Sequence, residues 1–431
     1  MKIILQFVFV SILTALLAGA LGLAQAKGRQ SLKGKVLVGY QGWFRCPGDG
    51  SPRNAWSHWS KGIPVPETLA IDVYPELTEL SDHSLCALPN MTISHRQAYV
   101  FSSFPRETVE KHLEWMQTYG IDGPLVQRFI GDTARLRAEG DAVLRNVMAG
   151  AQDHGRVFAV EYDLSGYHPD TVLQQLQEDW KYLAETVGVT KSPSYLELNG
   201  KPLVSIWGLG LTGNHVTDPK LATAIIRWFK NVAHVKVMGG TPAGWGTLSA
   251  DSVSDKAWPA VYAQLDVVQP WTVGRYSTLD QVDGWKQSHL IPDLALAKKN
   301  HQIYMPVIFP GFSWHNLNRN SKENQIPRLG GKFLWKQAYN ARTAGATILK
   351  IAMFDEVNEG TAILKAAPLR TDAPEQGYWL TLDADGEKLP SDWYLRLAGE
   401  ITRTFHGVVP ASPNLPSNPG PPWQSSSPKH E

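Results

Sequence analysis

Short runs of apolar, β-favouring residues recur along the chain, separated by stretches with helical spacing. Alternation of this kind predicts parallel strands joined by crossover helices. Eight strands are expected: Val36–Gln41, Gly123–Phe129, Val157–Asp163, Leu203–Gly208, Val235–Gly239, Val267–Trp271, Ile303–Phe309 and Ile348–Glu356. Between them, Glu107–Tyr119 places Val109, Leu113 and Met116 on one helical face, with Pro105 just ahead of its start. Helices are also expected over Thr133–His154, Asp170–Val187, Thr217–Val232 and Lys332–Ala344. A less regular crossover spans Leu279–Asn300, and Ser391–Phe405 would close the ring. Eight right-handed β-then-α units make a closed (β/α)8 (TIM) barrel the natural solution, as one domain over residues 27–408. The competing doubly wound sheet lacks a G-x-G-x-x-G turn after its first strand, which weakens a nucleotide-binding version.

The two ends read differently. Residues 1–26 carry a single charge, Lys2, then an apolar run from Ile3 to Leu23 and the small-x-small triplet Ala24-Gln25-Ala26. This is the pattern of a cleaved signal peptide, and it implies a secreted or periplasmic protein; an uncleaved anchor is the alternative. No second apolar run of spanning length follows, so no membrane partner is expected after cleavage. From Val409 to Glu431, seven prolines lie among Ser and Asn, a composition expected to leave a disordered tail.

Charge narrows the partners. Removing residues 1–26 takes away only Lys2 and leaves 40 basic against 40 acidic residues. That balance argues against nucleic acid, which demands a basic surplus. Cys46 and Cys86 are the only cysteines; in an oxidising compartment they could close the long loop after the first strand, or remain two buried thiols. Asn90-Met91-Thr92 is a glycosylation sequon of low specificity. Sixteen tryptophans are more than a core needs. Several lie in Gly- and Pro-rich loops, where flat apolar faces with one donor suit sugar rings; the alternative is that most plug loops against the barrel.

In a (β/α)8 barrel the working face is the C-terminal end of the strands. The eighth strand ends there in Phe354-Asp355-Glu356-Val357-Asn358-Glu359-Gly360-Thr361, three acids within five residues. Carboxylates at the mouth of an apolar barrel lose water and feel each other's charge, so one pKa should rise and the pair could supply an acid and a base. Two rivals use the same residues. One is an oxygen-rich cation site from Asp355, Glu356, Asn358 and Glu359, although no D-x-D-x-D-G loop is present. The other is a salt bridge to Arg328 or Arg370. A serine nucleophile is disfavoured because no G-x-S-x-G elbow occurs, and no H-E-x-x-H zinc pattern is found.

This segment resembles the F-N-E-W-H-E-G-T signature of glycoside hydrolase family 99, the endo-α-mannosidase-like enzymes. The resemblance extends in order from about residue 35 to 366. Ser57-His58-Trp59 resembles that family's H-W pair, and Asp72-Val73-Tyr74-Pro75-Glu76-Leu77 its Y-P-x-L element. Val160-Glu161-Tyr162 resembles its I-E-P, Gly200-Lys201-Pro202-Leu203 its G-K-P-L, and Pro310-Gly311-Phe312 its P-G-Y. The match is to the wider clan of families 71 and 99. It implies a (β/α)8 fold and retaining, endo-type cleavage of an α-linked glycan, with neither metal nor organic cofactor. It further implies that Glu356 acts as base on the sugar 2-hydroxyl, which attacks C1 to give a 1,2-anhydro sugar. Glu359 would then protonate the leaving oxygen and later activate water. The family's Asn, Trp and His are here Asp355, Val357 and Asn358, so mannosidase specificity does not transfer with the acids.

The sequence therefore predicts a glycosidase with Glu356 and Glu359 as catalytic residues. Expected carbohydrate contacts are Tyr40, Trp43, His58, Trp59, Glu161, Trp207, Trp271, Trp314, Arg328 and Asn358. A non-catalytic glycan-binding barrel, or a hydrolase of another linkage such as a xylosidase or arabinosidase, uses the same rim.

Overall fold

The computed structural model describes residues 31–133 and 135–420. The expected signal peptide, 1–26, lies outside the described residues. Eight barrel positions follow one another in chain order. They are β1 (Val36–Tyr40), β4 (Gly123–Phe129), β5 (Ala159–Asp163), β7 (Lys201–Trp207), β8 (Lys236–Pro242), β9 (Val267–Trp271), a seventh position in two pieces, β10 (Ile303–Tyr304) and β11 (Val307–Ile308), and β12 (Leu349–Ile351). The barrel pairings are parallel, and β12 returns to β1 through Val36–Leu349 and Val38–Ile351. The expected (β/α)8 barrel is therefore the fold.

The seventh position closes the barrel by division of labour. Ile303 and Tyr304 pair with β9, whereas Val307 and Ile308 pair with β12. Between them Met305 donates its N–H to Val268 O, and Pro306, which has no N–H, accepts from Lys350 N through its carbonyl. β12 is shorter than the expected Ile348–Glu356, because the chain after Ile351 turns back on itself. Met353 N donates to Thr361 O at 3.0 Å, and Ile363 N donates to Met353 O at 3.0 Å.

The strands are buried on both faces, as parallel strands must be when helices cover them; all five residues of β1 are buried. The covering helices are α1 (Arg106–Thr118), α2 (Arg137–Asp153), α3 (Val172–Lys181), α4 (Pro219–Asn231), the short α5 (Trp258–Tyr262), α6 (Leu279–Trp285), α7 (Ile291–Lys299), α8 (Lys332–Ala344) and α9 (Trp393–Phe405). The irregular sixth crossover is α6 and α7 joined through a wide turn at Lys286–Leu290. Among the described residues no helix is long and apolar enough to cross a membrane.

Three strands and the short α5 went unpredicted. An antiparallel hairpin, β2 (Leu85–Ile93) with β3 (Arg96–Phe101), rises from the long loop after β1, and a two-residue β6 (Glu197–Leu198) pairs with β7. Cys46 and Cys86 form a disulfide that ties the β1 loop to this hairpin, closing a 40-residue span. The Pro-rich segment begins as a packed strap. Trp335 Nε1 on α8 donates to Ser412 O at 3.0 Å, and Leu415 packs against the core. The remainder of that expected tail, 421–431, lies outside the described residues.

Candidate active site

The acid loop follows the C-terminal end of β12 and is fixed from several sides. Thr361 N and Ala362 N both donate to Glu356 O, at 3.2 and 3.1 Å. Asp72 N and Val73 N donate to Val357 O, and Ser313 N donates to Glu359 O at 2.9 Å. Gly360 has φ 66°, and a Cβ there would lie 2.7 Å from Ser313 N, so only glycine lets the loop pass this close. Arg328 Nη2 donates to the carbonyls of Gly360 and Ala362, at 2.9 and 2.8 Å.

Within this loop the three acids have different partners. Asp355 is fully buried, and its two oxygens accept Gln41 N and Gly42 N, each at 2.8 Å. It therefore clamps the start of the β1 loop. Glu356 is also buried, with Oε1 accepting Gln41 Nε2 at 2.9 Å and Oε2 accepting Thr361 Oγ1 at 2.9 Å. Glu359 is partly exposed. Among the described residues neither Glu356 nor Glu359 has an ion-pair partner, so the salt-bridge rival falls: Arg328 Nη2 and the Arg370 guanidinium donate to backbone carbonyls.

Burial sets the protonation of these groups. It lifts Asp355 to about 6, against the pull of the Gln41 and Gly42 N–H groups. It lifts Glu359 to about 7, with the charge of Asp163 adding to the rise. Glu356 is pushed well above its ordinary value by burial and then by the charge of Glu359, while the Thr361 and Gln41 donors oppose the shift. Glu356 and Glu359 thus titrate as a pair. Burial and neighbouring negative charge raise both, so the pair holds a proton near neutral pH.

The predicted contact residues divide into three groups. Tyr40 and Trp59 are buried, not at the rim. Gly39 faces the barrel interior against Met353 and Lys350, so strand alternation turns Tyr40 outward, where its hydroxyl meets His112 Nδ1 of α1 at 3.0 Å. Trp59 donates its Nε1 to Phe101 O at 2.8 Å and packs the hairpin onto the loop. Arg328 is likewise a buried brace of the acid loop, lying 4.6 Å over the Tyr394 ring.

Glu161 forms the second group. It sits inside the barrel below the rim with no exposed surface, and its Oε1 meets Lys350 Nζ at 2.5 Å. Ser205 Oγ donates to its other oxygen at 2.8 Å, and Lys350 also reaches Gln269 Oε1 at 3.2 Å. The sequence concealed this pair because Lys350 stands inside an apolar run.

The third group does lie around the mouth. Trp207 and Trp271 meet edge to face at 5.6 Å, and with Trp314 they remain partly exposed. Trp43 and His58 stack at 3.8 Å, with Phe129 on Trp43 at 5.2 Å, so both faces of Trp43 are already covered. Burial and the charge of Arg45 push His58 down to about 4. Asn358 is buried beside the acids, and its Oδ1 has no hydrogen-bond partner.

Sequence reasoning left Gln41, Thr361, Asp163 and Asp72 out of the site. Gln41, Thr361 and Asp163 each end or follow a barrel strand, which was the available signal. Asp72, read only as the head of the Y-P-x-L resemblance, is a hub: it accepts Ser313 Oγ at 2.5 Å and the N–H groups of His315 and Asn316 at 2.8 Å each. Among the described residues no group of three or more His, Cys, Asp or Glu side chains could hold a metal ion.

No family model matches the chain, and no curated protein matches it by sequence. Solved structures do match by fold. The structure of the GH99 endo-alpha-mannosidase from Bacteroides thetaiotaomicron superposes with a TM-score of 0.61 at 17% identity, covering 87% of this chain and 98% of that one. Its complex with bis-tris-propane gives 0.59 at 18% identity, covering 88% and 98%. A glycoside hydrolase-like protein gives 0.51 at 17%, covering 80% and 98%. The chain therefore has the (β/α)8 fold of the glycoside hydrolase family 99 structures.

Proposed function

We propose that the protein is a secreted glycoside hydrolase that cleaves an α-linked poly- or oligosaccharide with retention of configuration. The observation that carries this reading is the pair of carboxyl groups without an ion-pair partner, buried Glu356 and partly exposed Glu359, after the last barrel strand. The fold shared with an endo-alpha-mannosidase supports a glycan substrate.

In the first step, ionised Glu356 takes the proton of the sugar 2-hydroxyl. O2 attacks C1 as the C1–O bond of the leaving group breaks, and Glu359 gives its proton to the departing oxygen. In the second step, Glu359, now ionised, takes a proton from water, whose oxygen attacks C1. The C1–O2 bond opens and Glu356 returns its proton to O2. The two acids act on atoms at one edge of the ring, which suits residues three apart on one loop rather than carboxylates flanking the sugar. Raised pKa values hold one proton on the pair near neutral pH, as such a cycle requires.

The test is a substrate screen on α-mannan, α-glucan and arabinoxylan oligosaccharides, with proton NMR of the first-formed anomer. Cleavage of a 1,2-trans α-linked substrate such as α-mannan to the α-anomer is expected, whereas the 1,2-cis linkages of α-glucan, whose O2 cannot attack C1 from behind the leaving group, should resist. Inversion contradicts the mechanism; glycan binding without cleavage contradicts the hydrolase and favours a binding barrel.

A further inference from the structure

An ion pair crosses the interior of the barrel. Lys350 on β12 and Glu161 on β5 meet at 2.5 Å with no exposed surface, so these two strands face one another. The register from β4 through β5 to β7 is unbroken. It sets Gln127, Glu161 and Ser205 in one row and Phe129, Asp163 and Trp207 in a second row two residues on. Side chains two apart on a strand share a face, so Asp163 points into the barrel as Glu161 does, roughly 6–7 Å nearer the mouth. Tyr162, between them, points outward and donates its hydroxyl to Asp179 of α3 at 2.8 Å.

On the facing wall, the chain that leaves Lys350 runs into the acid loop. The mouth therefore repeats the arrangement of the interior with one change: Asp163 is opposed by Glu356 and Glu359 instead of a lysine. Among the described residues Asp163 has no ion pair. Its one hydrogen-bond partner is Ser165, whose N–H reaches Oδ1 at 2.8 Å, and the residue is 5% exposed. The charged or titratable groups around it are Glu161 below, Glu359 across the mouth and His215 in the loop after β7. His215 is engaged elsewhere: its Nδ1 meets Thr212 O at 3.1 Å, and its ring meets Trp207 edge to face at 5.1 Å.

A carboxylate facing other carboxyl groups across a gap calls for a hydrogen-bond donor between them that carries no negative charge. The neighbours in the row define that donor further. Phe129 and Trp207 flank Asp163 and are partly exposed, and Trp271 stands edge to face with Trp207. An acceptor set between aromatic rings suits a sugar, which offers hydroxyl donors at its edge and C–H groups on its face.

We propose that Asp163 is a substrate contact that accepts hydroxyls of the sugar on the leaving-group side of the cleaved linkage and selects a neutral unit there. The side follows from the acids: Asp163 faces Glu359, the residue assigned to the departing oxygen. A uronate or a sulfated sugar in that position would meet three carboxyl groups and no free cation of the row. The inference rests on the glycosidase reading and deepens it by naming the residue that reads the departing sugar.

The experiment compares wild type with Asp163→Asn and Asp163→Ala, full-length and verified as folded by thermal melts. The substrates are an α-linked manno-oligosaccharide, derivatives each lacking one hydroxyl of the leaving sugar, and 4-nitrophenyl α-mannoside, whose leaving group has no hydroxyl to offer. On the oligosaccharide, kcat/KM should fall about 100-fold in Asp163→Ala and about tenfold in Asp163→Asn. On the nitrophenyl mannoside both variants should stay within about threefold of wild type. One deoxy substrate should cost wild type about tenfold and cost Asp163→Ala nothing further. Equal losses on the oligosaccharide and the nitrophenyl mannoside would reveal a structural role. Losses that add for every deoxy substrate would mean that no hydroxyl meets Asp163, and either result overturns the contact. Faster cleavage when an ammonium replaces the matching hydroxyl overturns the neutral unit. If wild type cleaves neither substrate, the hydrolase reading falls and calorimetric affinities for the same deoxy series decide Asp163. A loss for one derivative that vanishes in Asp163→Ala keeps the contact, and its absence removes it.

Discussion

Two sets of acids share this barrel and are treated in opposite ways. Inside it, Glu161 is given a cation: Lys350 at 2.5 Å, with Ser205 and Gln269 completing the network and the Trp271 ring 5.5 Å from the ammonium. At the rim, Glu356 receives only neutral donors, Gln41 and Thr361, and Glu359 is beside another acid, Asp163. A desolvated carboxylate must find a cation or take up a proton. The inner acid has the cation and serves the fold. The outer pair takes the proton and is therefore able to move one.

The largest expected effect comes from breaking the inner pair. Lys350→Met leaves Glu161 buried without its partner and should cost about 3–5 kcal/mol in urea unfolding. Glu161→Gln in the same chain should recover most of that loss. If Lys350→Met alone is neutral, the inner acid is not held by its cation.

Next comes making the outer set resemble the inner one. Gln41→Lys places an ammonium where a neutral amide now meets Glu356, and so opposes the rise that burial and the Glu359 charge produce. The turnover rate near pH 7 should fall roughly 100-fold, within the range of lost general acid–base catalysis. Unchanged turnover in a folded Gln41→Lys protein would show that the missing cation has no role.

A smaller effect should appear in stability against pH. Glu359 rises from an ordinary 4.5 to about 7 on folding, and Glu356 shifts in the same direction. Between those pH values the folded chain holds more protons than the unfolded one. The contribution is therefore complete below pH 4.5 and is lost as pH rises through about 7, at up to ~1.4 kcal/mol per pH unit for each group. Unfolding free energies measured from pH 5 to 8 should fall, and Glu359→Gln should flatten the decline.

The smallest effect belongs to Trp271 at the mouth, whose ring lies 5.5 Å from the Lys350 ammonium. Trp271→Ala should raise KM about threefold to tenfold, as expected for loss of one aromatic contact, with kcat little changed. A fall in kcat with constant KM would place its role in the chemistry instead.

The same contrast explains what the sequence could and could not convey. The barrel was legible because its strands are short apolar runs: Gly123–Phe129 and Val267–Trp271 have the expected bounds. The seventh strand was read as continuous, yet Pro306 interrupts it, and its two halves serve different neighbours. The hairpin at Leu85–Phe101 was missed because its pattern is mixed, with Pro89 and Asn90 inside a strand. At the site, Glu356 and Glu359 were legible from their place after the last strand. Their partners were not, because Gln41 lies 315 residues away and reaches Glu356 only through closure of β12 onto β1. Glu161 and Lys350, 189 residues apart, looked like a rim acid and a stray charge in an apolar run. Tyr40 and Trp59 were drawn to the rim by residue type, whereas strand alternation and hairpin packing bury them.

The division of labour within the outer pair can be measured directly. Hydrolysis rates of Glu356→Gln and Glu359→Gln are compared on a cleaved α-linked glycan and on an aryl α-glycoside of the same sugar with an activated leaving group. The aryl leaving group needs no proton to depart. Glu359→Gln should lose about 1,000-fold on the glycan, but show a rapid first release of the aryl group, because only the later activation of water is slowed. Glu356→Gln should lose a similar factor on both substrates and show no such burst. Equal losses without a burst in either variant, or full activity in both, would contradict the assignment of Glu356 as base and Glu359 as acid.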